Sequence, residues 1–362
     1  MKKMIKLLLA ILPIIVLVCA VNLYVDPANQ FRTGSVNKKV IDSFSAGMNV
    51  TVSENYRDGL LIKDIILSSD LSADTVILGS SRGAQISSEM LGRKSLNCSV
   101  TAAALEDIAA IWQMLLDSGK ADSVENVVIA IDPWFFNPNY SEYRYLDTYY
   151  SYTRAFYKDA GIALPPRNYL QSPGIISDMF SVSYFQLSIK DLNSRMTSDP
   201  LDQFTPTAQP QAMNTATLRS DNSYVYPMNY EYAEQDAVYA RVSQANRTIL
   251  DTFEECTALG ETNDIVFRHL VESMLSNGKK VYFVLSPYNP IVWDVIQNDP
   301  VRYSFVYEVE DRINQIASAN GIPVAGSYDP YACGYSYGDF MDALHINSAS
   351  TANLVRDLLK SD

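Results

Sequence analysis

Short apolar runs separated by amphipathic stretches mark both ends of this chain. Thr75–Leu78 (TVIL) and Lys280–Leu285 (KVYFVL) are rich in β-branched, aliphatic and aromatic residues, the composition of strands buried on both faces. Val124–Ile131 (VENVVIAI) reads the same way, and Ser95–Asn97 and Ile322–Ala325 are shorter candidates. Between these runs the period lengthens to that of a helix. In Ala102–Ser118, Leu105, Ile108, Ile111, Trp112 and Leu115 share one stripe, and Gly119 supplies the stop. Asn263–Asn277 repeats the pattern with Phe267, Leu270, Val271, Met274 and Leu275 inward, and Ser304–Asn320 does so with Val306, Val309, Ile313 and Ile316. Ser348–Lys360 reads as a closing helix. Five strands alternating with helices predict an α/β domain over residues 70–362, three-layered and built on a mainly parallel sheet. Sites in such sheets gather at the carboxyl ends of the strands.

The alternation lapses from Asp132 to Gly260, where long amphipathic runs are few. This stretch holds Pro165, Pro166, Pro200, Pro206 and Pro210, and 14 of the 24 tyrosines fall between Tyr140 and Tyr239. It reads as a large insertion or lid at about 132–260, with some helix near Tyr232–Thr252. Aromatic faces are platforms for amphipathic ligands such as sugars. Residues 26–69, polar as far as Arg57, read as a connecting segment.

The chain opens differently. Lys2, Lys3 and Lys6 precede an uncharged run from Leu7 to Val25, interrupted only by Pro13 and Asn22. Nineteen residues are just enough to cross a bilayer as a helix, and the basic flank places the rest of the chain outside the cytoplasm. Residues 1–25 are therefore expected to be a single-pass membrane anchor. A cleaved signal peptide is disfavoured because Cys19-Ala20-Val21 offers no clean small-x-small site. A lipidated Cys19 is disfavoured because Val18 stands where a small residue should precede it.

Composition narrows the function. The chain is 48% hydrophobic and 19% charged, too apolar for disorder. With 28 basic residues against 41 acidic ones, its formal charge of −13 argues against a nucleic-acid partner. Cys19 lies in the apolar run, so Cys98, Cys256 and Cys333 form at most one disulfide. No C-x-x-C pair exists and there are two histidines, so neither a zinc site nor another cofactor is expected.

The first apolar strand runs straight into Gly79-Ser80-Ser81-Arg82. Such a turn either caps a helix with its hydroxyls or presents a nucleophile. A serine nucleophile needs a base and a group to orient that base. His269 sits mid-helix and reads as a boundary side chain. His345 follows Asp342 by three residues, directly before the closing helix. A D-x-x-H turn at the mouth of an α/β sheet can offer its carboxylate to one imidazole nitrogen and leave the other for the nucleophile.

Gly79-Ser80-Ser81-Arg82 and Asp342-Ala343-Leu344-His345 resemble the first and last blocks of the SGNH/GDSL hydrolase superfamily, whose fold is flavodoxin-like. The resemblance covers roughly residues 70–135 and 262–360. It implies Ser81 as nucleophile, His345 as base and Asp342 as its orienter. Asn97-Cys98-Ser99-Val100-Thr101-Ala102 resembles the second block, with Ala102 where the family has an oxyanion-donating Gly. Asn97 is then a candidate oxyanion helper beside the plainer reading of a turn-forming Asn, Arg82 a candidate anion clamp or else a solvated residue or salt-bridge partner, and Trp134 a candidate cleft wall or else a packing residue. The third block departs, since Asp132-Pro133-Trp134 stands where the family has G-x-N-D. With the anchor and Asp26-Pro27, this departure is similar to the membrane-tethered branch that includes the teichoic-acid D-alanylation and alginate O-acetylation proteins. That resemblance implies transfer of an acyl group, acetyl or similar, to a cell-envelope polysaccharide or polymer outside the cytoplasm, or ester hydrolysis on it, through an acyl-Ser81 and beside a membrane-bound O-acyltransferase partner. The other reading, prompted by the missing third-block Asn, is a membrane-anchored scaffold that binds the polymer without catalysis.

Overall fold

Nine strands occur among the described residues: β1 (Asn49–Val52), β2 (Thr75–Leu78), β3 (Ser95–Asn97), β4 (Asn126–Ala130), β5 (Phe204–Thr207), β6 (Ala216–Leu218), β7 (Tyr224–Val225), β8 (Lys280–Leu285) and β9 (Val324–Gly326). The computed structural model describes residues 2–26, 35–52, 56–140, 144, 148–164, 179–197, 204–254, 256 and 258–360. Five strands form a parallel sheet in the order β3-β2-β4-β8-β9. Every residue of β2 and β4 is buried, as is all of β8 after Lys280. Those strands have no solvent face, which is why they read as unbroken apolar runs.

Alternate residues of the sheet enter two separate clusters. Val76, Leu78, Val127, Ile129, Phe283 and Leu285 join the larger one, with Ile108, Trp112, Phe267 and Val309 from three covering helices. Those helices are Leu105–Asp117, Glu261–Ser276 and Ser304–Asn320. Ile77, Val128, Ala130, Tyr282 and Val284 pack on the opposite side against Ile86, Val355, Leu358 and Leu359. The closing helix is shorter than its pattern, ending at Val355. The chain then turns so that Leu358 and Leu359 complete that smaller cluster.

A second sheet, antiparallel in the order β5-β1-β6-β7, was not expected. It corrects the reading of residues 26–69 as a connection. That segment forms the helices Ser35–Ser45 and Asp58–Ser68 and strand β1, whose Val50 and Val52 are buried. Strand β1 pairs with β5 and β6, so the large insertion is stitched to the segment that precedes the α/β core. Strands of two to four residues are too short for alternation to register. The expected helix near Tyr232–Thr252 is present as Gln235–Glu254.

The N-terminal residues are helical from Lys2 to Val25. Among the described residues no helix is long and apolar enough to cross a membrane. The side chains of residues 7–11, within the expected span, lie outside that description. Toward the other end of the helix, Asn22 and Asp26 are buried against the helix Val182–Thr197. There Asn22 bonds the Met179 and Ser181 carbonyls, and the Tyr184 hydroxyl donates to Asp26 at 2.8 Å. All four cysteines are free.

Candidate active site

Strand β2 ends in a turn that leaves its backbone no room for side chains. A Cβ added to Gly79 would lie 2.8 Å from Ala130 Cβ, and one added to Gly83 would lie 2.7 Å from the same atom. Two glycines thus let the turn press against β4. Within it, Ser80 Oγ accepts from Arg82 N at 3.2 Å, and Ser87, not Ser81, caps the next helix. The local hydrogen bonding that such a serine turn requires is therefore met without Ser81 Oγ.

Ser81 Oγ lies 2.9 Å from His345 Nε2. On the other side of the ring, His345 Nδ1 is 2.8 Å from Asp342 Oδ2 and 3.0 Å from Oδ1. The order is hydroxyl, imidazole, carboxylate, the arrangement of a serine nucleophile with its base and orienter. Burial alone would push the Asp342 carboxyl up. The neighbouring His345 and hydrogen bonds from His345, Leu344 N and the Tyr230 hydroxyl overcome it and hold the group well below the usual carboxylate range.

Asp342 and His345 are held in place by buried side chains from strand ends distant in sequence. Arg82 Nε donates to the Leu344 carbonyl at 3.2 Å and Gln85 Nε2 to the Ile346 carbonyl at 2.8 Å. Asn289, beyond β8, donates to the Asp342 carbonyl at 3.2 Å and accepts Ile291 N. The insertion adds Tyr230, whose hydroxyl meets Asp342 Oδ2 at 2.8 Å. The Tyr230 ring stacks on Tyr226 and lies beneath the Arg241 guanidinium, 3.8 Å away. Replacing Tyr230 with Phe removes one charge-assisted bond worth about 1.5 kcal/mol. If the three groups act as a catalytic triad, kcat on an ester then falls about tenfold with KM nearly unchanged. An unaltered kcat contradicts an orienting role for Tyr230.

For Arg82 and Asn97 the geometry favours the plainer of the two readings over the substrate-facing one. Arg82 is no anion clamp facing substrate: its side chain is 1% exposed and pairs with Asp132 Oδ1 at 2.9 Å. The same guanidinium donates to the Ser286 and Pro287 carbonyls and lies 4.2 Å from the Tyr288 ring centre. Burial pushes Asp132 up, and the attraction of Arg82 opposes it. Asn97 is no oxyanion helper either. Its Nδ2 donates to the Gly83, Ala84 and Ile86 carbonyls, bracing the turn that carries Ser81, and its Oδ1 accepts Ser99 N in its own loop. An Asn or Arg at a strand end reads alike in sequence whichever way its side chain points.

Ala102 and Trp134 do stand beside Ser81, lining one cavity with it. Ala102 adopts φ +51°, a left-handed conformation that costs a residue bearing Cβ about 1–2 kcal/mol. Neighbouring bonds hold it there. Asp58 Oδ2 accepts Thr101 N at 2.6 Å, Arg144 donates to the Thr101 and Ala102 carbonyls, and the Tyr140 hydroxyl reaches the Ala102 carbonyl at 3.0 Å. Arg144 is anchored in turn by buried Asp107 at 3.0 Å. Among the described residues no acceptor takes the backbone N–H of Ser81 or Ala102.

No protein-family model matches this chain, and no curated protein matches it either.

Ser81 sits where two cavities meet. One, about 390 Å³, is lined by Tyr56, Asp58, Tyr224, Tyr226 and His345. Ser99 and Asn222 also line it, and Ser99 Oγ and Asn222 Oδ1 are buried without a hydrogen-bond partner among the described residues. The other, about 200 Å³, is walled by Trp134, Ile249, Phe253 and Leu344. Sequence reasoning missed Asp58, Arg144, Asn222 and Tyr230. Only the density of tyrosines in the insertion hinted at this aromatic wall. His269 lies elsewhere, 3.0 Å from Asp159 on the helix Glu261–Ser276.

Proposed function

We propose that this protein is an SGNH-like serine acyl-transfer enzyme with a three-layer, flavodoxin-like core. In this reading Leu7–Val25 anchors it in the membrane as a single pass, and the α/β domain works outside the cytoplasm on an envelope glycan or polymer. The observation that carries the reading is the 2.9 Å approach of Ser81 Oγ to His345 Nε2, backed by Asp342.

Ser81 Oγ attacks the carbonyl carbon of an ester while His345 Nε2 takes its proton. Asp342 keeps Nδ1 protonated and stabilises the imidazolium. The oxyanion is received by the backbone N–H groups of Ser81 and Ala102. Collapse expels the leaving alcohol, which carries away the proton from Nε2. A second hydroxyl, from a glycan or from water, then gives its proton to Nε2 and attacks the acyl-Ser81 carbonyl. That step releases the product and restores the serine. The tyrosine-lined cavity suits a polyhydroxyl acceptor, because aromatic faces pack on sugar rings and their hydroxyls supply hydrogen bonds. A membrane-bound O-acyltransferase is the donor partner this reading calls for.

A fluorophosphonate probe tests it. The full chain should be labelled within minutes, and labelling should disappear in Ser81→Ala and in His345→Ala. Equal labelling of all three chains sinks the proposal.

A further inference from the structure

The chemistry of the smaller cavity narrows the acyl group. Three of its polar wall groups are spent on backbone carbonyls. Trp134 Nε1 donates to the Ala103 carbonyl at 2.9 Å, the Tyr140 hydroxyl to the Ala102 carbonyl at 3.0 Å, and Thr252 Oγ1 to the Thr248 carbonyl at 2.9 Å. What remains is mostly carbon, from the Trp134 ring, Ile249, Phe253 and Leu344, with the hydroxyl-bearing Thr101 and Thr248 beside it. Among the described residues no charged side chain lines this cavity, and Asp58 lies in the other one.

An aminoacyl group would place an ammonium against these apolar walls with no carboxylate among the described lining residues to meet it. An acetyl methyl would leave nearly all of the 200 Å³ unfilled. An apolar cavity of about 150 Å³ is known to hold benzene, so 200 Å³ has room for about six to eight carbons. We infer that Ser81 carries a medium-chain aliphatic acyl group of about that length, seated against Trp134, Ile249 and Phe253. This rests on the reading of Ser81 as nucleophile. It separates the protein from enzymes that transfer acetyl or aminoacyl groups.

The test is a series of p-nitrophenyl esters, acetate to dodecanoate, turned over by the full chain. Each methylene that enters the cavity is worth about a fourfold gain, so kcat/KM should rise about 250-fold from acetate to hexanoate and peak near hexanoate to octanoate. Ile249→Trp and, separately, Thr252→Phe should fill the cavity and lower the octanoate-to-acetate ratio at least tenfold. Fastest turnover of acetate, falling with length in the native chain, overturns this inference and leaves Ser81 as nucleophile. Absence of Ser81-dependent turnover for every ester overturns both.

Discussion

Ser81→Ala and His345→Ala should each lower ester turnover on the order of 10⁴- to 10⁶-fold, and the double variant should be no slower than either single one. The reason lies in the geometry. In the proposed mechanism one hydroxyl and one imidazole, 2.9 Å apart, share a single proton transfer, so removing either group ends the same step. What survives is the binding and oxyanion stabilisation supplied by backbone N–H groups and the two cavities. Asp342→Asn should fall about 10⁴-fold, because an amide cannot hold the imidazole in the required tautomer. None of these changes removes a core side chain, so far-UV circular dichroism and the urea midpoint should stay close to native for Ser81→Ala. Losses that multiply in the double variant point to two independent roles and contradict the shared step.

Arg82→Met should destabilise the protein by about 3–5 kcal/mol, measured as the shift in urea unfolding. Arg82 and Asp132 are 1% and 2% exposed, and removing the guanidinium leaves a carboxylate buried without its cation. Three carbonyls, of Ser286, Pro287 and Leu344, lose a donor at the same time. A domain is stable by only about 5–15 kcal/mol in total. Removing both charges, as Arg82→Met with Asp132→Leu, should cost less than Arg82→Met alone, because no unpaired ion remains. The pair also accounts for Asp132-Pro133 at the end of β4. Where the resemblance expects a side-chain donor to the oxyanion, this chain puts the anion that fixes Arg82, the residue after Ser81. A stability loss under 1 kcal/mol for Arg82→Met contradicts this.

Much of the parallel sheet was legible because its strands are buried on both faces. Thr75–Leu78, Ser95–Asn97 and Lys280–Leu285 match the observed strands, as Ser304–Asn320 matches its helix. The stripe Val306, Val309, Ile313 and Ile316 survives any choice of neighbour. The antiparallel sheet was hidden, since Val50 pairs with Pro206 and Leu218, more than 150 positions away. Nothing local marks such a strand. At the site, Ser81, Asp342 and His345 were readable from two short motifs. The side chains that aim them were not. Asn97, Arg82, Gln85 and Asn289 act through bonds to backbone carbonyls, and a carbonyl leaves no trace in the residue type that bears it.

The most direct measurement is the mass of the protein milliseconds after mixing with a p-nitrophenyl ester, followed by peptide mapping. Catalysis through an acyl-Ser81 intermediate predicts a stoichiometric burst of nitrophenolate and one acyl group on the peptide containing Ser81, both absent in His345→Ala. Turnover without a burst or adduct, or acylation confined to another residue, contradicts it.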